Sequence, residues 1–344
     1  MLGEDCKVCK EEAAKGGLDV EYIALLTVVF VIMFLAPFAL SIIYSTVRKG
    51  SVLPVSQEKR RDARYFGKAF SRLIEKNIGT VKDDTIMLSH KEEFIDGDKY
   101  YDYGRTVDKI IICKRHDFIA PKEVLIYNKE IYSAHSVDIR WPKTRLRAAY
   151  ARESMLLADH TSVERWVDAR ETLIAGDECE LGMSATAGNR LSVGYGCHFR
   201  RLYAPQICIG LSTRDIGEFG EKTVLEETVR TDKDYTVLDG VWLKGDICSH
   251  KGVRLCDNTV VTGNIFAETD IHIGKGAVVL GNVFTQGSVY VDDAARIGEQ
   301  GSIVSLIARE KIYLGKSICI YGYVSCEGGG LTTAKEGSVW ENVS

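Results

Sequence analysis

The sequence has little proline and no excess of charge of one sign. Proline accounts for only 5 of 344 residues and glycine for 32, which is typical of a β-rich chain with many tight turns. Lysine and arginine number 44 against 48 aspartate and glutamate, so the formal net charge of −4 gives no reason to expect a nucleic-acid partner. The chain also lacks a P-loop, a dinucleotide fingerprint and a nucleophile elbow, and we therefore expect no bound nucleotide.

A disulfide framework is also missing, although the chain has 10 cysteines. Cysteine packs as a small hydrophobe, so eight that lie singly in apolar surroundings predict reduced core thiols in the cytosol. These eight are Cys113, Cys179, Cys197, Cys208, Cys248, Cys256, Cys319 and Cys326. The other two, Cys6 and Cys9, have metal-ligand spacing, but no second pair lies within reach. We expect no metal site and no cofactor.

One uncharged apolar run, residues 22–47, is long enough to cross a bilayer as an α-helix. The preceding residues 1–21 are net acidic and no small-residue cleavage site follows the run, which favours a retained anchor over a signal peptide. Basic residues cluster after the run, at Arg48, Lys49 and 59–64. Because positive residues stay on the cytoplasmic side, we expect a short extracytoplasmic amino terminus and a cytoplasmic carboxyl-terminal domain.

Two segments separate the apolar run from the rest of the chain. Residues 48–79 predict a basic juxtamembrane helix, with Phe66, Phe70 and Ile74 at helical spacing. Such a helix can lie on anionic lipid or pack against the following domain, and both alternatives stay open. Residues 80–132 contain short apolar runs around an acidic, tyrosine-rich stretch and predict a small β-rich cap.

The chain then repeats itself with a period of about 18 residues. Residues 151–204 form three aligned rows of equal length, and residues 242–295 form three more. Within a row, apolar residues come in pairs two apart, such as Ile271 and Ile273, and three such pairs occur in each row. This spacing predicts three short strands per row, each with one face turned inward. No inward position in these rows is charged, although 27% of the chain is.

The repeat predicts an all-β fold, a three-sided parallel β-helix with coils of about 18 residues that follows one transmembrane α-helix. We expect it over residues 133–330, with an interruption at about 212–230 and a tail at 331–344. The rows predict roughly ten or eleven coils. Glycines that follow an inward aliphatic residue, such as Gly176 and Gly274, predict corners with positive φ.

One stretch of the repeat, GDICSHKGVRLCDNTVVTGNIFAETDIHIGKGAVVLGNV from Gly245 to Val283, resembles the core of the bactofilin family. Its recurring elements are G-[DN]-[IV] at the start of a coil and I-x-I-G-x-G-A in its middle. The resemblance implies a right-handed parallel β-helix that polymerises without nucleotide, attaches to the bacterial inner membrane and serves cell shape. It implies a cytoskeletal scaffold with three partners: itself, the inner membrane and cell-envelope enzymes. It does not imply an enzyme.

The last coils predict the self-assembly surface. A terminal coil presents unpaired backbone groups and an open apolar cross-section unless a cap covers it. Few apolar residues remain after these coils to form a cap. We therefore expect tail-to-tail pairs, at least, through Ile318, Ile320, Val324 and Cys326.

A left-handed β-helix of the hexapeptide-repeat acyltransferase kind is the alternative, because its coils have the same length. The run IGKGAV from Ile273 satisfies a loose hexapeptide pattern. These enzymes resemble one another in using a histidine base between subunits, and His198 and His272 are outward-facing candidates here. An exposed histidine on a strand is more often a surface residue, and no cluster of carboxylates suggests a polysaccharide-cleaving site. We expect no catalytic residue.

Overall fold

The computed structural model describes residues 22–36, 62–78, 85–88, 91–210 and 223–333. Contacts divide the chain into two units, Met1–Arg61 and Asp62–Ser344.

Helix α1 covers residues 22–36, in the first unit. It is the described part of the apolar run 22–47, and residues 37–47 lie outside the described part of the chain. Among the described residues, no helix combines the length and apolar character that a membrane crossing requires. The membrane crossing therefore stays a prediction.

The second unit contains helix α2 (Tyr65–Asn77) and 30 strands. Residues 91–210 are here called the first solenoid and residues 223–333 the second solenoid. The strands up to the end of the first solenoid are β1 (Thr85–Met87), β2 (Lys91–Asp96), β3 (Thr106–Val107), β4 (Ile110–Cys113), β5 (Phe118–Ile119), β6 (Ile126–Ser133), β7 (Val137–Ile139), β8 (Arg145–Ala151), β9 (Met155–Leu157), β10 (Ser162–Ala169), β11 (Thr172–Ala175), β12 (Ser184–Ala187), β13 (Arg190–Val193) and β14 (His198–Ile209).

The strands of the second solenoid are β15 (Val224–Leu225), β16 (Val229–Thr231), β17 (Tyr235–Val237), β18 (Trp242–Leu243), β19 (Ile247–Ser249), β20 (Val253–Leu255), β21 (Val260–Val261), β22 (Ile265–Ala267), β23 (Ile271–Ile273), β24 (Val278–Val279), β25 (Val283–Thr285), β26 (Val289–Val291), β27 (Arg296–Ile297), β28 (Val304–Ala308), β29 (Ile312–Leu314) and β30 (Ile318–Thr332).

Successive coils of each solenoid pair in parallel, so that equivalent residues stack in columns. Met155, Leu173 and Leu191 are in register on β9, β11 and β13. Ile271 and Val289 are in register on β23 and β26. All five side chains are buried. The prediction of a parallel β-solenoid is therefore confirmed, with about 13 turns in place of the roughly ten or eleven expected.

The additional turns come from the segment that the sequence predicts to be a cap over 80–132. Strands β2, β4 and β6 pair in parallel and continue into β8, so this segment already belongs to the solenoid. Phe94 is in register with Ile110, so the sequence offset between these two coils is shorter than the regular period. Ile111 is in register with Ile131, so the next offset is longer than the regular period. A search for one fixed period cannot find coils of unequal length. Only β1 has a cap-like role among the described strands, because it pairs antiparallel with β2.

The two solenoids run in opposite directions and meet at their last coils. Strand β14 ends the first solenoid and pairs antiparallel with β30, which ends the second. Leu202 lies opposite Val324 and Ile207 lies opposite Ile320, and all four side chains are buried. The inward residues of both solenoids form one continuous hydrophobic core. This antiparallel interface of β14 and β30 is called the joint below.

The boundaries of the second solenoid differ from the expected ones. The interruption predicted at 212–230 is shorter, because β15 and β16 already lie in register with β18 and β19. Residues 211–222 lie outside the described part of the chain. At the other end β30 continues to Thr332, which pairs with Leu314, so the coil reaches into the predicted tail.

Carboxylates and amides at the corners tie each coil to the next. Asp257 Oδ1 accepts a hydrogen bond from the backbone N–H of Lys275 at 2.9 Å. Asn264 Oδ1 likewise accepts one from the N–H of Asn282 at 3.0 Å. Each bond joins equivalent positions of successive coils, and a series of such bonds is called a corner ladder here. A corner ladder fixes the length of the coil as well as the geometry of its turn.

Positive φ occurs two residues later than the sequence predicts, at Glu178 and Gly276 and not at Gly176 and Gly274. The predicted glycines are required for space instead. A Cβ on Gly176 would lie 2.2 Å from the Oδ1 atom of Asp159, the carboxylate of the preceding coil. The close packing of corners, and not a left-handed backbone, explains glycine there.

Helix α2 packs against the outer face of the first solenoid. Phe70 makes edge contacts with Tyr132 and Trp166, and Ile74 is fully buried in the same cluster. Of the two alternatives for this helix, packing against the following domain is the one observed. Its exposed residues include Arg72 and also Phe66, which is 50% exposed and so does not join Phe70 and Ile74 in the buried cluster. Residues 48–61 of the predicted juxtamembrane helix lie outside the described residues.

Candidate functional site

The four residues predicted to form the self-assembly surface lie inside the joint or beside it. Ile318, Ile320, Val324 and Cys326 are at most 4% exposed. The first three are paired with β14, and Cys326 is paired with Ala308 of β28. The tail-to-tail contact that the sequence predicts between two copies is thus made within one chain. These residues are not available at a free end of the structure.

The open apolar cross-section is found at the opposite end of the second solenoid. Its first coil, residues 223–240, is called the open coil here. Leu225 faces inward in register with Leu243, yet Leu225 is 37% exposed and Leu243 is 0% exposed. Val229 and Tyr235 are also inward and only partly buried. The core of the second solenoid therefore ends in a partly exposed apolar surface.

The backbone of the open coil is paired on one side. Strands β15, β16 and β17 pair with β18, β19 and β20 of the next coil. Within 223–333 and the other described ranges, no strand pairs with their opposite edge. Such an edge offers main-chain donors and acceptors to another strand.

The corresponding end of the first solenoid is better covered. Strand β1 crosses β2 in antiparallel orientation, with Thr85 opposite Glu93 and Met87 opposite Lys91. Ile86 of β1 is 2% exposed. A segment of the protein itself therefore covers part of this edge in the first solenoid. The equivalent edge of the open coil pairs with no described strand.

A buried ion pair fixes helix α2 to the first solenoid, and sequence reasoning missed it. Arg64 donates from Nε to Asp168 Oδ1 at 2.7 Å and from Nη2 to Asp168 Oδ2 at 3.2 Å. The hydroxyl of Thr186 donates to the same carboxylate at 2.6 Å. Gly67 allows this approach, since a Cβ there would lie 2.2 Å from Asp168 Oδ2. The only sequence signal is a carboxylate at an outward position beside Trp166 and Val167.

The electrostatics of this pair reflect its burial. Asp168 is 1% exposed, and loss of hydration raises the pKa of its carboxyl group. Hydrogen bonding and charge attraction from Arg64 oppose that rise without cancelling it. Arg64 belongs to the basic cluster from which the sequence predicts the orientation of the chain in the membrane. In the structure its side chain holds helix α2 against the first solenoid through Asp168.

The two candidate histidines of the alternative function are not brought together. His198 is exposed on β14, at a cleft of about 510 Å³ where the joint meets the corner of the coil. His272 is half-buried and stacks on Tyr290 with ring centroids 4.7 Å apart. Burial lowers the pKa of the His272 imidazole. Along their shared outward column, Tyr290, Tyr313 and Leu331 separate the two histidines.

Asp117, His135 and Glu153 form one group with metal-ligand chemistry. These three occupy equivalent positions in successive coils, and their ligand atoms all lie within 4.8 Å of one another. His135 Nδ1 lies 3.3 Å from Glu153 Oε1, and Asp117 accepts a hydrogen bond from the N–H of Ser136. The cluster lies on an outer corner, and its atoms are of the kind that bind a divalent cation. The contacts of His135 with Glu153 and of Asp117 with Ser136 are those of a corner ladder, and they account for the arrangement without an ion.

Comparison of the chain with family models, with curated proteins and with solved structures finds no match.

Proposed function

We propose that the protein is a membrane-anchored scaffold of the bactofilin-like kind, which self-assembles end to end through the open coil. The observation that carries this proposal is the partly exposed inward surface of Leu225, Val229 and Tyr235, next to a strand edge that no described strand pairs with. A parallel solenoid has no closing contact of its own, so such an end gains both apolar burial and backbone hydrogen bonds when another coil stacks on it.

The joint supports this proposal because it is the same kind of contact made inside one chain. There, two terminal coils stack in antiparallel orientation and bury Leu202, Ile207, Ile320 and Val324. The coil cross-section of this protein is therefore compatible with an end-to-end contact. A second copy is the occupant we propose for the open coil.

Membrane attachment is the second part of the proposal. The large apolar side chains of helix α1 are mostly exposed, including Leu26 at 73% and Met33 at 74%. The uncharged run continues in sequence to residue 47, which supports an anchor of sufficient length. In this proposal the solenoids are cytoplasmic and right-handed, and the assembled protein positions envelope or cell-shape proteins at the bacterial inner membrane. None of these roles requires a catalytic residue.

The experiment compares Leu225→Lys with Thr236→Lys in the full chain, solubilised in detergent micelles. Thr236 lies in the same coil but faces outward and is exposed, so it controls for the added charge. By sedimentation velocity at tens of micromolar, we expect wild type and Thr236→Lys to form dimers or longer species. Leu225→Lys should weaken association at least about tenfold, equivalent to ~1.4 kcal/mol, with an unchanged β-sheet circular-dichroism spectrum.

Three outcomes would contradict the proposal. A strictly monomeric wild type would overturn self-assembly. A discrete trimer that Leu225→Lys does not affect would favour the acyltransferase alternative. Release of the full chain from membranes by alkaline carbonate would overturn the anchor.

A further inference from the structure

Two cysteines face each other across the joint on its outer surface. Cys208 of β14 and Cys319 of β30 are directly opposite in the antiparallel pair, between Ile207–Ile320 and Ile209–Ile318. Their inward neighbours are buried in the core, so both thiols point outward on the same face of the joint. Opposite residues in an antiparallel pair have Cα atoms about 4.5–5.5 Å apart, which lies within the range of about 4.4–6.8 Å that a disulfide spans.

The surroundings of this pair favour a thiolate on one of the two sulfurs. Arg296 of β27 is in register with Cys319, and the amide of Gln206 lies 3.9 Å from the Cys319 sulfur. Hydrogen bonding from Cys208, followed by contributions from Tyr321, Gln206 and Arg296, lowers the pKa of Cys319 despite its burial. Hydrogen bonding to Cys319 and burial raise the pKa of Cys208.

The two thiols also differ in access. Cys319 is partly exposed, whereas Cys208 is buried. This asymmetry suits a reaction in two steps. The accessible thiolate is oxidised first to a sulfenic acid, and the protected thiol then attacks that sulfur to form a disulfide.

A second cysteine pair, which lies entirely in the first solenoid, provides an internal comparison. Cys179 and Cys197 lie one coil apart, face inward and are both 0% exposed. Their sulfurs contact the backbone carbonyl oxygens of Ala158 and Gly176, at 3.3 and 3.1 Å. These thiols are enclosed in the core, so an oxidant in solution does not reach them while the coil is folded.

We propose that Cys208 and Cys319 are a redox modification site at which hydrogen peroxide covalently locks the joint. The thiolate of Cys319 attacks one peroxide oxygen, and the O–O bond breaks to give a sulfenic acid and hydroxide, which takes up a proton to become water. The sulfur of Cys208 then attacks the Cys319 sulfur, loses its proton, and displaces the second oxygen as water. Two thiols are thereby oxidised by two electrons to one disulfide, and the peroxide is reduced to two molecules of water.

The lock would act on the contact between the two solenoids. It joins β14 to β30 and so fixes the last coil of one solenoid on the last coil of the other. Because cross-linking restricts the unfolded chain, we expect the oxidised protein to unfold about 5 °C or more above the reduced protein. This inference depends on the joint alone and does not depend on assembly through the open coil.

The test uses the full chain, reduced and then exposed to a small molar excess of hydrogen peroxide in detergent. Peptide mass spectrometry should find the peptides of Cys208 and Cys319 joined, with a loss of about 2 Da relative to the two thiols. In Cys208→Ser the reaction should stop at a sulfenic acid on Cys319, which dimedone captures. Cys319→Ser should leave Cys208 unmodified.

The matched control is Cys197→Ser, which removes one thiol of the enclosed pair and should leave the 208–319 cross-link unchanged. Iodoacetamide at pH 7 provides a second measurement, in which Cys319 should be alkylated at least about tenfold faster than the partly exposed Cys256, whose pKa burial raises. A cross-link that forms as readily between Cys179 and Cys197 would overturn the proposal. So would a Cys319 that reacts no faster than Cys256.

Discussion

The first and second solenoids share one kind of coil and one core, but they are stabilised differently. The first carries helix α2 on its outer face, strand β1 across its first coil and the buried pair of Arg64 and Asp168. The second has its described outer faces free of helices. Its outward columns stack on themselves, as Phe266 does on Phe284 with ring centroids 5.7 Å apart, whereas the stacked Tyr132 and Tyr150 of the first solenoid lie in the cluster that α2 joins. At one end of the second solenoid, no described strand pairs with the outer edge of the open coil.

The comparison separates two ways to stabilise a repeat structure. In the second solenoid each coil is stabilised almost entirely by the coils before and after it, which is the general rule for solenoids. In the first, contacts over long sequence separations add to that pattern, and they include the buried ion pair of Arg64 with Asp168. We expect the first solenoid to depend on single residues more strongly than the second, and the joint to couple the two.

The largest effect should come from a charge placed in the joint. Leu202 is 0% exposed and lies opposite Val324, so Leu202→Asp buries an unpaired carboxylate between the two solenoids. We expect a loss of about 4 kcal/mol or more in the free energy of unfolding, measured by urea denaturation. Arg201→Asp, an exposed position on the same strand, should change it by about 0.5 kcal/mol or less. A wild-type midpoint for Leu202→Asp would contradict the shared core.

The next largest effect should come from the buried ion pair of the first solenoid. Arg64→Ala leaves Asp168 buried without its cation, and we expect a loss of about 3 kcal/mol at pH 7. The control Arg72→Ala, on the exposed side of α2, should have an effect of about 0.5 kcal/mol or less.

The effect of Arg64→Ala should depend on pH with a definite sign. Burial already raises the folded-state pKa of Asp168, and removal of Arg64 raises it further. A carboxyl group with a folded pKa above its unfolded pKa binds more protons when folded, so stability falls as pH rises between the two values. The deficit of Arg64→Ala should therefore shrink as pH falls toward about 4, the unfolded pKa of aspartate. A deficit that grows on acidification would contradict this account.

The smallest effect should come from the corner ladders, and it should be equal in the two solenoids. Asp257→Ala removes the acceptor of the Lys275 N–H, and Asp177→Ala removes that of the Tyr195 N–H; both bonds are 2.9 Å long. We expect each to cost about 1 kcal/mol, or roughly 2–4 °C in the thermal midpoint. Asp257→Asn keeps the acceptor and should lose less. A large difference between the two alanine variants would mean that the ladders are not equivalent.

Much of the coil architecture was predictable because the regular spacing of apolar pairs is a local property of the sequence. The columns through Leu173 and Ile271 follow directly from it. The irregular early coils were not predictable, because their unequal offsets leave no constant period. The joint was not predictable for a different reason. Alternation of inward and outward residues has the same pattern in either chain direction, so it does not reveal that the second solenoid runs against the first.

The candidate site shows the same limit. The sequence predicts the self-assembly surface at the end that includes Ile320, but the joint pairs that end within the chain. Leu225 and Val229 of the open coil fall within the predicted interruption, so the repeat pattern does not identify them as inward residues, whereas Tyr235 lies beyond it. Arg64 and Asp168 lie far apart in sequence, and no local pattern connects them.

The reversal of chain direction at the joint has a consequence for any fibre built from this protein. Each molecule presents an amino-terminal coil at both of its outer ends, that of β2 at one and that of β15 at the other. Actin and microtubule polymers have distinct plus and minus ends because every subunit points the same way along the fibre. The orientation of a subunit of this protein is set instead by its two different ends, with β1 at one and the open coil at the other. Two copies joined open coil to open coil point in opposite directions, so such a pair has no orientation of its own and would suit a static support more than a track.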